Sequence, residues 1–421
     1  MSTHKTFLKN AATTVAIVAL CQLLTPHTKA AEKRPLDYRI ELTTARKGFD
    51  GKKCWVHARA GIIPPGTTHN TSDTPIVVMT LNELLLSGSD VYYATNDMFS
   101  KDLGTTWSEP RPHPKSMGRR NEPDDNQPGS VVVAPSDITP QWHAASGKLL
   151  ATGHNVRYKG DRGPLHVRAR ETVYSTYDPA TQTWSPRKRL KMPDLPRFKN
   201  AGAGSTQRYD LPNGEILLPI YFKRPDKKQN LSTVVRCRFD GETLEYIEHG
   251  DELAIPVVRG FCEPSLTKFG DRFYLTLRND KHGYVTSGKD GLHFDKPIKW
   301  RFDDGRELGS YNTQQHWVTH SDGLFLVYTR RGADNDHVFR HRAPLFMARV
   351  DPEKLRVIRS TERVLVPQRG ARLGNFGVTQ ISPKETWVTV TEWMQPRGVE
   401  KHGSDNSLFV AKIHWNRPSK P

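Results

Sequence analysis

Past residue 35 the chain alternates short apolar runs with clusters of Gly, Pro, Asp and Asn, and no amphipathic helix of any length interrupts it. The runs are "TPIVVMTL", "DVYYATND", "KLLATGH", "ETVYSTYD", "EILLPIYF", "TVVRCRFD", "RFYLTLRN", "GLFLVYTR", "LFMARVD", "ETWVTVTEW" and "SLFVAKIHW". Segments of that length, rich in β-branched and aromatic residues and bounded by turn formers, predict many short antiparallel strands and an all-β fold. The stretch 111–130, "RPHPKSMGRRNEPDDNQPGS", reads as a long exposed loop.

The pattern also repeats. A Gly-bearing turn followed by an apolar strand recurs as "GKLLATGH", "NGEILLPIYF", "GDRFYLTLR" and "DGLFLVYTR". A second phrase, "SKDLGTTW" at 100–107, returns loosely as "SGKDGLHF" at 287–294 and, with a longer turn, as "STYDPATQTW" at 175–184. In the first of these Asp102 can accept hydrogen bonds from its own turn, Gly104 can take a positive φ, and Trp107 starts the returning strand and pins the turn down. Recurrence at tens of residues predicts a repeat architecture rather than a two-sheet sandwich. About 390 residues beyond residue 30, at roughly 40–65 residues per four-stranded blade, make a β-propeller of six to eight blades in one domain, 31–421.

The first thirty residues stand apart. Lys5 and Lys9 precede an apolar run from Ala11 to Leu24, and "TKAA" offers a small-residue cleavage site after Ala30, the pattern of a secretory signal peptide. The expectation is a secreted or periplasmic protein with no membrane span once the signal is cleaved. The formal charge is +17, of which three lysines fall in the first thirty residues. For an exported chain that balance suits an acidic glycan or merely a basic surface, and charge alone does not decide between them. Nucleic acid is disfavoured, because the aromatics lie in strand patterns rather than along a basic stripe. Cys54, Cys237 and Cys262 allow one disulfide and one free thiol, and without a Cys-x-x-Cys they predict no zinc site. No cofactor or metal is expected.

"SKDLGTTW" resembles the Asp-box of the sialidase superfamily, S-x-D-x-G-x-T-W, a structural fastener of propeller blades. The resemblance implies a six-bladed propeller of four-stranded antiparallel blades. It extends to "ARAGIIPP", where Arg59 and Pro64 are similar to an Arg-Ile-Pro motif with extra residues between. It extends further to "CEPSLTKFGDRFYLTLRND", where Glu263 and Arg278 fall where the family sets a Glu and an Arg on adjacent strands. Two strands of one blade bring that carboxylate and guanidinium to the same pore-facing end, where an arginine can grip a substrate carboxylate in two-pronged fashion. A third arginine is implied in "YTRRGADNDHVFRHRAPLF", either Arg340 or Arg342. His337 and His341 in that stretch read as solvated loop.

The chain departs from the family as well. Where sialidases carry a tyrosine nucleophile, "LGNFGVTQISPKETW" has Asn375 and Phe376, and neither Asp73 nor Asp90 matches the family's acid/base. "GSYNTQQHWVTH" masses Tyr311, Asn312, Gln314, Gln315 and His316 before a strand. Amides there suit sugar hydroxyls, His316 can act as acid or base, and Tyr311 can replace the phenol. His69, His154, Arg157, Tyr158, Gln207 and Arg208 extend the pool. The expected function is an exported sialidase-like glycoside hydrolase on an acidic glycan. The rivals are a polysaccharide lyase using His or Tyr as base, and a glycan-binding propeller without turnover.

Overall fold

The computed structural model describes residue 1 and residues 35–420, apart from 88–89, 124–129 and 161–168. The chain divides into two compact units, Met1–Pro35 and Leu36–Pro421. The signal-peptide stretch lies outside the described residues. In the second unit six small antiparallel sheets are arranged in a ring, a six-bladed β-propeller. No helix among the described residues is long and apolar enough to cross a membrane.

Five blades are built from consecutive strands, and their axis-facing members begin at Lys53–Ile63, Ser130–His143, Tyr209–Asp210, Cys262–Phe269 and His316–His320. The sixth is composite. Gly377–Ser382, Glu385–Thr391 and Leu408–Trp415 are joined at the outer edge by Tyr38–Arg46, which pairs antiparallel with Leu408–Trp415 from Tyr38 opposite Trp415 to Arg46 opposite Leu408. The two ends of the ring are thus sewn together by main-chain hydrogen bonds.

The core lies between blades rather than inside one. Successive residues of a strand point to opposite faces, so Leu149 packs towards the first blade with Ile63 and Val78, while Leu150 packs towards the third with Ile216 and Leu218. Leu217 in turn meets Leu266 and Leu275 of the fourth blade. With both faces buried, the middle strands read as continuous apolar runs, which is why "EILLPIYF" and "GLFLVYTR" show no alternation.

The Asp-anchored turns close blade edges. Ser100 Oγ donates to Asp102 Oδ1 at 2.8 Å, Thr106 N donates to the same oxygen at 2.9 Å, and Gly104 N donates to Ser100 Oγ at 2.8 Å. Equivalent turns form at Asp178, Asp240, Asp290 and Asp351, each accepting from backbone N–H groups two or three residues on. Trp107 differs in part from expectation. Its ring lies against Gly104 of its own turn, as expected, but it precedes the two-residue return strand Arg111–Pro112 and also meets Trp387 of the sixth blade, ring centroids 6.2 Å apart. It therefore ties two blades together. Cys54, Cys237 and Cys262 are buried and free, so the pairing open to them on sequence grounds is not made.

Candidate functional site at the mouth of the central channel

One non-glycine residue per blade takes a positive φ in or just before its innermost strand: His57 (60°), Asp137 (57°), Ser205 (55°), Glu263 (45°), Asn312 (59°) and Asn375 (61°). At three of them the strand pairing skips, between Val56 and Arg59, Ser136 and Thr139, and Cys262 and Ser265. These bulges turn the side chains towards the axis. Each such residue costs roughly 1–2 kcal/mol in backbone strain, and strain of this kind gathers at functional sites. The six form a ring at one end of the channel. Asn375 Nδ2 lies 2.8 Å from His57 Nε2, His57 Nε2 lies 3.4 Å from Asp137 Oδ1, and Ser205 Oγ donates to Asp137 Oδ1 at 2.5 Å.

The ring has two electrical halves. Across the first three blades Asp137 sits between His57 and His154, whose Nε2 is 3.6 Å from Asp137 Oδ2, and above Arg59, whose Nη2 donates to Asp137 Oδ1 at 2.9 Å. Burial would raise the Asp137 carboxyl, but His57, Arg59, His154 and the Ser205 hydroxyl hold it far below the usual carboxylate range. Burial pushes His57 down to about 4 and His154 down to about 3, only partly opposed by Asp137. Both imidazoles are therefore neutral bases at neutral pH. His154 lies flat against the backbone of the third blade. A Cβ on Gly204 would stand 2.2 Å from its Nδ1 and Cε1, which is why "AGAGS" has glycine there.

The opposite half is cationic. Arg278 is ion-paired with Glu263 through Nη1 and Oε1, and Glu263 Oε2 is buried without a hydrogen-bond partner among the described residues. Burial works against the Arg278 charge, yet the Glu263 carboxylate more than offsets it. Arg278 and Arg342 both donate to Asn312 Oδ1, each at 3.1 Å, so two guanidinia converge on one point of the ring. Arg342 is 3% exposed and makes no ion pair among the described residues. Burial, then the charges of Arg278, Arg372 and Arg340, drive its pKa well below the usual arginine value. Arginine does not surrender its proton in proteins, so the shift marks a cation poorly matched by its surroundings. An anion placed among these groups relieves that mismatch.

The structure thus brings Glu263, Arg278, Arg342 and the more exposed Arg340 to one mouth. Arg59 is 1% exposed and committed to Asp137 and to Ser205 Oγ at 2.7 Å, beneath the ring rather than on its surface. His316 is buried beside Phe376, its Nδ1 2.7 Å from Ser265 Oγ, and burial together with Arg59 lowers it to about 3. Tyr311 hydrogen-bonds His341 Nδ1 at 2.6 Å under the Arg331 guanidinium, outside the ring. Gln314 and Gln315 are fully buried and spend their amides on Phe376 O, Thr313 O and Ser310 Oγ. Gln207 bonds the main chain of Trp317, and Arg208 braces Asp210, Leu150 O and Gln141 O between the second and third blades. Sequence reasoning passed over His57, Asp137, Ser205 and Arg372. The glycine pair at 202 and 204 was the one local hint that a side chain from another blade presses there. Among the described residues no group of three or more His, Cys, Asp or Glu is placed to hold a metal ion.

Solved structures match this ring closely in topology and distantly in sequence. A protein of unknown function from Dyadobacter fermentans is 13% identical with a TM-score of 0.61, over 89% of this chain and 99% of its own. Trypanosoma rangeli sialidase is 13% identical with a TM-score of 0.54, over 85% of this chain. The fold is sialidase-like. A leech intramolecular trans-sialidase, in complex with 2,7-anhydro-Neu5Ac, is 12% identical with a TM-score of 0.53, over 90% of this chain and 70% of its own. The alignment spans 55% of the trypanosomal enzyme's chain. No family model and no curated protein matches the sequence.

Proposed function

We propose that this protein is an exported carbohydrate-active enzyme, a glycoside hydrolase that takes an acidic sugar into the mouth of the propeller. The reading rests on one observation: Glu263 and Arg278 meet beside Arg342, with the two guanidinia converging on Asn312 Oδ1. Arg278 and Arg342 would hold the sugar carboxylate. Glu263, with one oxygen unengaged, would be one proton-handling group, and Asp137 of the second blade would be the other. The sialidase-like fold supports the reading without deciding the reaction. Purified protein incubated with sialosides and uronic-acid polysaccharides should release sugar or reducing ends. Glu263→Gln should cut the rate by about 100-fold or more while acidic-sugar binding persists. Binding of acidic sugars with no turnover on any substrate would refute the enzyme and leave a glycan-binding propeller.

A second reading has its own support. His57 and His154 are neutral imidazoles at the mouth, and Asn375 rather than a phenol closes the ring. A neutral imidazole can remove the proton next to a uronate carboxylate, giving a polysaccharide lyase. Its product is an unsaturated sugar, so growth of ultraviolet absorbance during digestion selects elimination over hydrolysis.

A further inference from the structure

Next to Arg278 and Arg342 lies a second group of cations that the first acidic sugar leaves unengaged. Arg340 and Arg372 flank the ring of Phe339, their guanidinium carbons 5.0 and 5.1 Å from its centroid, and Arg372 also covers Trp393 at 4.4 Å. Phe339 is 44% exposed although both guanidinia lie over its ring, so part of an apolar ring is presented to solvent beside two positive charges. Arg372 is 5% exposed, and its Nε is buried with no hydrogen-bond partner. Its closest side-chain acceptor is neutral, Gln395 Oε1 at 3.4 Å. Neither Arg340 nor Arg372 forms an ion pair with a carboxylate among the described residues, and Asp90 acts on both only at longer range. Burial, then Arg340, lowers Arg372 to about 10.

A buried, unpaired guanidinium is costly unless something answers its charge. Stacking on Trp393 orients it without neutralising it. The combination of a partly exposed aromatic ring with adjoining cations suits a pyranose ring carrying its own anionic group, the sugar packing against the exposed part of Phe339 and the anion reaching Arg340 and Arg372. We propose that Phe339, Arg340 and Arg372 form a second subsite for an adjacent acidic sugar, so that the ligand is a glycan with two neighbouring anionic residues. The inference rests on the acidic-sugar reading above and names its substrate more narrowly.

Titration calorimetry at low salt tests it with three ligands: sialic acid, its α-linked dimer, and sialyllactose, in which the neighbouring sugar is neutral. A parallel series uses galacturonate, digalacturonate and a sulfated uronate disaccharide, to separate a second carboxylate from a sulfate ester. In at least one series the doubly anionic ligand should bind about tenfold or more tighter than the singly anionic one. Phe339→Gln, at an exposed position, and Arg372→Gln should each remove that preference while leaving monosaccharide affinity within about twofold. Arg372→Lys, which keeps a charge but loses the stacked fork, should retain only part of it. Equal binding of singly and doubly anionic ligands overturns the subsite and leaves the acidic-sugar reading intact. Retention of the full preference in both glutamine variants also overturns it. Absence of binding by every acidic sugar, monosaccharides included, removes the parent reading and this one with it.

Discussion

Asp137 and its two histidines make acid stability a property of single residues. In the unfolded chain the imidazoles titrate near 6.5, whereas folded His57 and His154 resist protonation until about 4 and about 3. Between these limits the unfolded chain binds more protons than the folded one, so stability falls as pH falls. Asp137, held below its ordinary 3.8, adds a further loss beneath that value. The charged groups facing this cluster are Arg59 and Arg170, which oppose protonation of His154, and Asp90, which favours protonation of His57. The melting temperature should therefore drop steadily from pH 6.5 to pH 4. A His154→Gln variant, scanned by calorimetry across the same range, should show a shallower slope. An unchanged slope would mean that the acid sensitivity lies elsewhere.

At the scale of the element, a single positive-φ residue on or just before each innermost strand, set in a bulge at three of the six, marks what reaches the axis. The six residues, of five types from His57 to Asn375, share one backbone conformation and no common identity. That is the reason the ring was not legible in the sequence while the strands were. Strand existence follows from local apolar runs, whereas the ring depends on a register skip and on neighbours 68 residues apart, as with Asp137 and Ser205. Glu263 and Arg278 were readable because they lie 15 residues apart on paired strands. The glycine at 204 carries one of these inter-blade fits. Gly204→Ala places a Cβ against the imidazole of His154, which backs onto Tyr221 with ring centroids 6.1 Å apart and has little room to retreat. The variant should lose about 2–3 kcal/mol in urea unfolding, the range of overpacked cores. A loss within error of zero would show that the ring rearranges freely.

For the molecule as a whole, charge sets approach rather than fold. The chain carries +17 overall, and the unanswered guanidinia gather at one mouth. An acidic glycan should be drawn there at long range. Its association should slow as salt rises, while a neutral sugar of the same length shows no such trend. Stopped-flow association at rising ionic strength measures this directly. Propeller closure was only half legible. The repeating turns announced blades, but nothing local in "YRIELTTAR" says that its partner is "LFVAKIHW" at the far end of the chain.

That pairing also governs time. Strand Tyr38–Arg46 is made first among the described elements and waits until Leu408–Trp415 has been made before it finds its neighbour. Until then five blades stand as an open arc with two raw edges, and unpaired edges invite the wrong partner. Contacts separated by nearly the whole chain form slowly. The growing polypeptide therefore spends its synthesis without a finished structure, and the ring closes only when its last strand has been made.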